Sequence, residues 1–235
     1  VLAGEKCERL LNDKIKELPV RNVQADEIWG FIGMKNRTKH QNKIEDEHLG
    51  TCYTWVAMET HTKLVLAWHL GNRTSGDCVQ FTEKINEATR GRFQLSTDAF
   101  PAYADAVCYS LGTRVDYAQL TKIYESGKEA KVTAKRYSPT KFIKAIPTPI
   151  WGQPDMEKLC TSHIERLNLS LRMALRRLTR LTNAFSKKWY NMKCALALYF
   201  AYYNFVRTHQ TLRCTPAMAH KITKTFWSIE DLLNY

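Results

Sequence analysis

Phe93-Gln94-Leu95-Ser96-Thr97-Asp98-Ala99-Phe100-Pro101-Ala102-Tyr103 is the stretch that decides the architecture. Phe93, Leu95 and Thr97 alternate with polar neighbours, the period-two pattern of a strand, and the strand ends at Asp98. A short helix follows over Ala102 to Tyr109, and a further strand over Arg114 to Leu120. Upstream, the apolar positions Cys78, Phe81, Ile85 and Ala88 step by three or four, so a helix capped at Ser75 and closed at Gly91 feeds this strand. Before that helix the period is two again. Val23 to Ile32 is a strand, and Thr51 to Met58 with Lys63 to Leu70 form an antiparallel hairpin around Glu59-Thr60-His61-Thr62. Three strands, helix, strand, helix, strand is the order of a mixed α/β sheet of five strands flanked by helices.

The rest of the chain reads as additions to that unit. Residues 1–21 are a short helix and linker, and Met34 to His48 is a polar loop. Residues 122–158 form a lysine-rich insertion with four prolines that takes no regular assignment. A long helix begins at Thr161, with Ile164, Leu167, Leu171, Ala174, Leu178 and Leu181 as its apolar stripe. A second helix over Asn183 to Val206 is apolar all round at its end and is therefore buried. Its aromatic residues, such as Tyr199, Phe200 and Phe205, are core rather than stacking platforms for bases. This gives one domain over 22–225 and a tail helix at 226–235.

Composition narrows the function. Hydrophobic residues make up 44% and charged residues 25% of the 235 positions, which excludes disorder and collagen-like structure. The longest nearly apolar run, Cys194 to Val206, is shorter than the roughly 20 residues of a bilayer span, so no membrane partner is expected. Seven widely spaced cysteines without a Cys-x-x-Cys pair fit a reducing compartment, and Cys160-x-x-His163 has no second pair to complete a zinc site. The net charge of +12 is the unusual feature. Twelve basic residues and one acid, Glu165, fall between Thr161 and Thr225, so this helical C-terminal region holds +11 of it. A localised cationic face is suited to a polyanion, nucleic acid before membrane.

Three carboxylates stand where such a sheet brings separate elements together: Asp26 in the first strand, Asp98 at the end of the fourth, and Glu165 on the long helix. Two divalent cations held about 3.5–4 Å apart by carboxylates can activate an attacking oxygen and stabilise a leaving one. Each residue also has a plainer explanation. Asp98 can cap the next helix, Glu27 can be the relevant acid in place of Asp26, and Ser162-x-x-Glu165 matches a capping box. On a 3.6-residue period Glu165, Asn168, Arg172, Arg176 and Thr179 share one polar face, a row suited to a phosphate backbone passing a metal.

Five runs carry a family resemblance. Val23-Gln24-Ala25-Asp26-Glu27-Ile28-Trp29, Ser96 to Tyr103, and His163-Ile164-Glu165-Arg166-Leu167-Asn168-Leu169-Ser170-Leu171-Arg172 resemble the three signatures of DDE transposases, most closely those of the bacterial insertion-sequence-one type. Arg180 to Lys188, and Tyr203 to His209 with Thr215 to Ala219, extend the match to roughly residues 20–225. The resemblance implies a ribonuclease H-like catalytic domain in which Asp26, Asp98 and Glu165 bind two Mg²⁺ or Mn²⁺ ions. It implies endonucleolytic cleavage at transposon ends and strand transfer into target DNA, by a homodimer or larger assembly on bacterial nucleoid DNA in the cytoplasm. Arg166, Asn168, Arg172, Arg176, Arg207 and His209 are the expected DNA contacts. Relatives carry a DNA-binding region ahead of the first signature, and here about twenty residues precede it. End recognition is therefore assigned to sequence outside this chain, to a partner, or to residues 122–158. Two alternatives stay open: a nuclease or resolvase of the same fold that cuts without joining, and a catalytically silent DNA-binding protein.

Overall fold

The computed structural model describes residues 1–125 and 141–235. Its centre is a sheet of strands β1 (Asn22–Ile32), β2 (Gly50–Glu59), β3 (Val65–Gly71), β4 (Phe93–Asp98), β5 (Val115–Tyr124) and β6 (Phe142–Trp151). The strand order is β3-β2-β1-β4-β5-β6. The β1–β2, β2–β3 and β5–β6 pairs are antiparallel, while β4 runs parallel to both β1 and β5. Helices α1 (Leu2–Lys14), α2 (Asn36–Gln41), α3 (Ser75–Ala88), α4 (Ala102–Ser110), α5 (Ser162–Ala174) and α6 (Trp189–Ala201) accompany it.

Both faces of the sheet are covered. Trp55 of β2 packs on Phe81 of α3 and on Tyr103 of α4. Trp68 of β3 is paired one position along the register, so it points to the other face, where it meets Phe200 of α6. Strand alternation thereby assigns Asp26, opposite Val56, to the α5–α6 side and Glu27, opposite Trp55, to the α3–α4 side. The N-terminal segment joins the same core, with Cys7 and Leu10 fully buried. Gly4 permits the approach: a Cβ there would come within 2.5 Å of Cys194 in α6.

Several expectations change. The sheet has six strands rather than five, because part of the 122–158 insertion forms β6 along β5. Its prolines hid it. Pro147 and Pro149 lack amide donors, and a strand containing them is tolerated at an edge, where β6 lies. Residues 126–140 of that insertion lie outside the described residues. Residues 36–41, expected as loop, form α2. Thr74 rather than Ser75 caps α3, accepting from the Asp77 amide at 3.1 Å.

The C-terminal half departs most. The helix expected to reach Leu181 stops at Ala174: Leu175 is extended and a 3-10 turn, Arg176–Leu178, follows. No glycine or proline ends it. Arg172 does, by donating to the Leu178 carbonyl at 2.7 Å, while Leu178 turns inward and is buried. The helix expected from Asn183 begins only at Trp189, and it ends in a π turn, Tyr202–Val206. That turn aims Asn204 at the edge of β3. Its amide accepts from the Val65 N–H at 3.0 Å and donates to the Val65 carbonyl at 2.9 Å, standing in for a neighbouring strand. The tail helix covers Ile229–Asn234, capped by Ser228. Among the described residues no helix is long and apolar enough to cross a membrane.

Candidate metal centre and active site

The site begins where a ladder ends. The parallel pairing of β1 with β4 stops at Gln24 and Ser96. Two residues further along each strand come Asp26 and Asp98, so both carboxylates stand at the first same-face position beyond the last pair. Carboxylate oxygens of Asp26, Glu27 and Asp98 all lie within 4.8 Å of one another. Asp26 and Glu27 leave opposite faces of β1, and Asp98 at a strand terminus meets both.

Each acid has distinct partners. Asp26 accepts from Asn168 Nδ2 at 2.8 Å, across from α5. Glu27 is bound by Arg73 at 2.6 Å and by the Tyr103 hydroxyl at 3.2 Å. Arg73 also reaches Asp98 at 3.5 Å and lies 4.2 Å from the centre of the Phe100 ring. Asp98 accepts from the Phe100 amide at 3.1 Å. Burial, reinforced by Asp98, pushes the Asp26 carboxyl up to about 6, although Lys122 opposes the rise. Burial and Asp98 likewise push Glu27 up to about 7 against the pull of Arg73. Like charges therefore crowd a partly desolvated cleft.

Glu165 stands on the α5 side of this cleft but outside the tight cluster. It accepts from Lys122 of β5 and from the Thr161 hydroxyl. Lys122 feels both Glu165 and Asp26, which raise its pKa against the effect of burial. Thus a lysine ammonium lies among the carboxylates of β1 and α5. The capping box that Ser162-x-x-Glu165 matches, the plainer explanation of Glu165, is not formed. The amides of His163 and Ile164 instead donate to Gln24 Oε1, at 3.1 and 3.0 Å. Gln24 is buried two residues before Asp26 and ties the start of α5 to the strand that carries Asp26.

The residues expected to contact DNA separate into three groups. Asn168 is buried and belongs to the acid site. Arg172 donates to the carbonyls of Leu178 and Trp29, so its guanidinium holds the end of α5 to β1. Arg176 lies beyond the helix in the 3-10 turn, and the continuous row from Glu165 to Thr179 is thereby corrected: α5 supplies only its first three members. Arg166, Arg207 and His209 line a different groove, together with Lys63 and His163. Gln24, Arg73 and Lys122 are not among the expected site residues, and Arg73 lies in the loop between β3 and α3, where no local pattern marks it. For the other two the signal is polarity within strands: Gln24 shares the face of Asp26, and Lys122 interrupts the apolar face of β5.

Chemically, the donor set suits a hard divalent cation. It offers clustered carboxylates from separate elements, as such ions require. It also contains an orphan: beside Asp26, Asn168 Oδ1 is buried without a hydrogen-bond partner among the described residues. A bound cation, or a water on it, would satisfy that oxygen and neutralise the crowded acids.

No family model matches the chain, and no curated protein matches it. Solved structures do resemble it. One is the cryo-EM structure of the simian T-cell lymphotropic virus intasome in complex with PP2A regulatory subunit B56 gamma, at 16% identity and a TM-score of 0.45, over 86% of this chain and 55% of that one. Another is the cryo-EM structure of a piggyBac transposase synaptic complex with hairpin DNA, at 9% identity and a TM-score of 0.43, over 92% of this chain and 51% of that one. The chain thus spans about half the length of each. At these values neither likeness transfers a fold or an activity to it.

Proposed function

We propose that the chain is the catalytic core of a metal-dependent transposase with a ribonuclease H-like sheet, cutting DNA at element ends and joining them to target DNA. One observation carries this proposal: Asp26 and Asp98 fall in register two residues beyond the last β1–β4 pair, and beside Asp26 lies Asn168 Oδ1, buried and without a hydrogen-bond partner among the described residues. Asp26, Asp98 and Glu165 would hold two Mg²⁺ or Mn²⁺ ions. When bound, these would supply Lewis acidity and an activated oxygen for in-line attack on a phosphodiester.

The chain's own groups do the rest. Asn168 orients Asp26, while Gln24 sets the distance of Glu165 by fixing the start of α5. Arg73 holds Glu27 and steers Asp98 into the cleft. Lys122 keeps Glu165 paired before the ions bind and can then meet a phosphate oxygen. The basic C-terminal region supports a DNA substrate. Joining two ends calls for at least two copies, acting on nucleoid DNA in a bacterial cytoplasm.

The test supplies a duplex ending in a 3′-hydroxyl together with a supercoiled plasmid and Mn²⁺. Wild-type protein should join the two covalently, and Asp98→Ala and Glu165→Gln should not. Near-normal joining by either variant would sink the site assignment. Nicking of the plasmid without joining would favour a nuclease.

A further inference from the structure

One face of α5 serves the acid site, and its neighbouring face opens on something else. Arg166 follows Glu165 by one residue, about 100° around the helix. With His163 and Ser170 it borders a groove of about 600 Å³, closed by Lys63 from the β2–β3 turn and by residues Tyr203 and Arg207 to Thr211. Among the described residues, no acid lines it. The acid nearest Lys63, Glu59, is buried behind the turn, where it accepts from the amide and hydroxyl of Thr62 at 2.6 and 2.8 Å.

The groove is built rather than incidental. Lys63 sits at φ +59, a left-handed conformation held by the Glu59–Thr62 turn. Its ammonium lies 3.3 Å from His163 Nδ1. An ammonium can only donate, so Nδ1 accepts and the ring proton of neutral His163 rests on Nε2, as a donor. Arg207 is steadied over the Tyr203 ring at 6.0 Å. His209 Nδ1 is 2.9 Å from the Thr211 hydroxyl within a loop closed by the His209–Cys214 bridge. The groups also repel one another. Burial and the charges of Lys63 and Arg207 hold His209 below the usual histidine range. Positive charge gathered without a facing acid calls for an anionic ligand.

We propose that this groove is a second DNA site, gripping the sugar–phosphate backbone of a duplex segment away from the phosphate that reacts. Lys63, Arg166 and Arg207 supply the charge, with His163 and His209 as further donors. The proposal rests on the DNA-processing role above only in its choice of anion. A metal cation is disfavoured there by Lys63 and the two arginines.

Binding can be measured without chemistry. A fluorescein-labelled 30-base-pair duplex is titrated in EDTA at several salt concentrations, and anisotropy gives affinity and its salt slope. Lys63→Gln/Arg207→Gln should lower affinity at least about tenfold and flatten the slope by about two, near 0.9 per lost phosphate contact. Arg166→Gln alone, at an exposed position, should flatten it by about one. Lys224→Gln/Lys221→Gln removes the same charge outside the groove, from the basic C-terminal region that also holds Arg166 and Arg207, and should change both far less. Groove variants that retain wild-type melting but match the Lys224/Lys221 pair would overturn the proposal. A wild-type protein that binds through the groove yet never joins strands would leave it standing while removing the proposed activity.

Discussion

The two faces of α5 solve opposite electrostatic problems. On one, carboxylates crowd a cleft and are restrained by Lys122, Arg73 and the amide of Asn168. On the other, Lys63, Arg166 and Arg207 line an open groove in which no described residue is acidic. The acid face is tied down by ion pairs and hydrogen bonds between side chains; on the basic face Lys63 is anchored to the Thr60 carbonyl and His163, while Arg166 and Arg207 are exposed. Groups that must hold small cations within tenths of an ångström need that rigidity. Groups that meet a long polyanion need charge and reach more than fixed geometry. One helix, fixed to its strand by Gln24, registers both faces at once.

The largest expected effect breaks the acid face outright. Asp26→Asn should lower metal-dependent joining by about three orders of magnitude, roughly 4 kcal/mol of barrier, while DNA binding in EDTA stays near wild type. The same variant should be more stable than wild type in the absence of metal. Asp26 titrates at about 6 in the folded protein against an ordinary 3.8, so its contribution to stability is full below about 4 and lost as the pH rises through 6. At pH 7.5 that loss is on the order of 3 kcal/mol, which Asn does not incur. Urea midpoints at pH 7.5 and pH 4 check it: the stabilisation should be present at the first and absent at the second. A midpoint equal to wild type at pH 7.5 would mean that the cleft carries no like-charge strain.

Next comes the joint between the faces. Gln24→Ala should cost about 1–3 kcal/mol, because two amides at the start of α5 lose a buried acceptor. Joining activity should fall further than stability alone explains, through kcat rather than KM, since Glu165 loses its register against Asp26. Gln24→Met keeps the volume but removes the acceptor and should not recover the activity, whereas a purely structural role in packing predicts that it would.

How much of this was readable in sequence follows from how each feature is encoded. β4 and Asp98 were legible because a period-two run ends abruptly and a helix follows, and both signals are local. β6 was not, since prolines at an edge strand resemble a loop until the partner strand is known. The early end of α5 was also invisible: its stop signal is Arg172 reaching the Leu178 and Trp29 carbonyls, one of them 143 positions away. Asp26, Asp98 and Glu165 could be nominated from their places on the first strand, at the end of the fourth and on the long helix, and from the resemblance of the runs around them. Glu27 in the cluster, and Lys122 against Glu165, are consequences of strand register, which one sequence does not display.

A milder perturbation sharpens the role of Lys122. Its ammonium stands beside Glu165 and Asp26, where a divalent cation would compete with it. Lys122→Ala should therefore tighten Mn²⁺ binding about tenfold, near 1.4 kcal/mol, as read by metal-dependent shifts in melting temperature. Unchanged or weaker Mn²⁺ binding would show that Lys122 orders Glu165 for the ions instead of holding their place.

The smallest difference separates two arginines that sequence alone put on a single face. Arg172 is half-buried and donates to two backbone carbonyls, whereas Arg176 is exposed in the turn. Arg172→Ala should cost about 1.5–3 kcal/mol of stability, because a charged donor serves both acceptors and the Leu178 turn loses its clasp. Arg176→Ala should stay within about 0.5 kcal/mol. In the EDTA binding assay the order reverses: Arg176→Ala removes a solvent-facing charge that DNA can reach, while the Arg172 guanidinium already has its partners. If Arg172→Ala instead weakened DNA binding with no loss of stability, α5 would have to extend past Ala174 in solution, and the row of arginines would be restored.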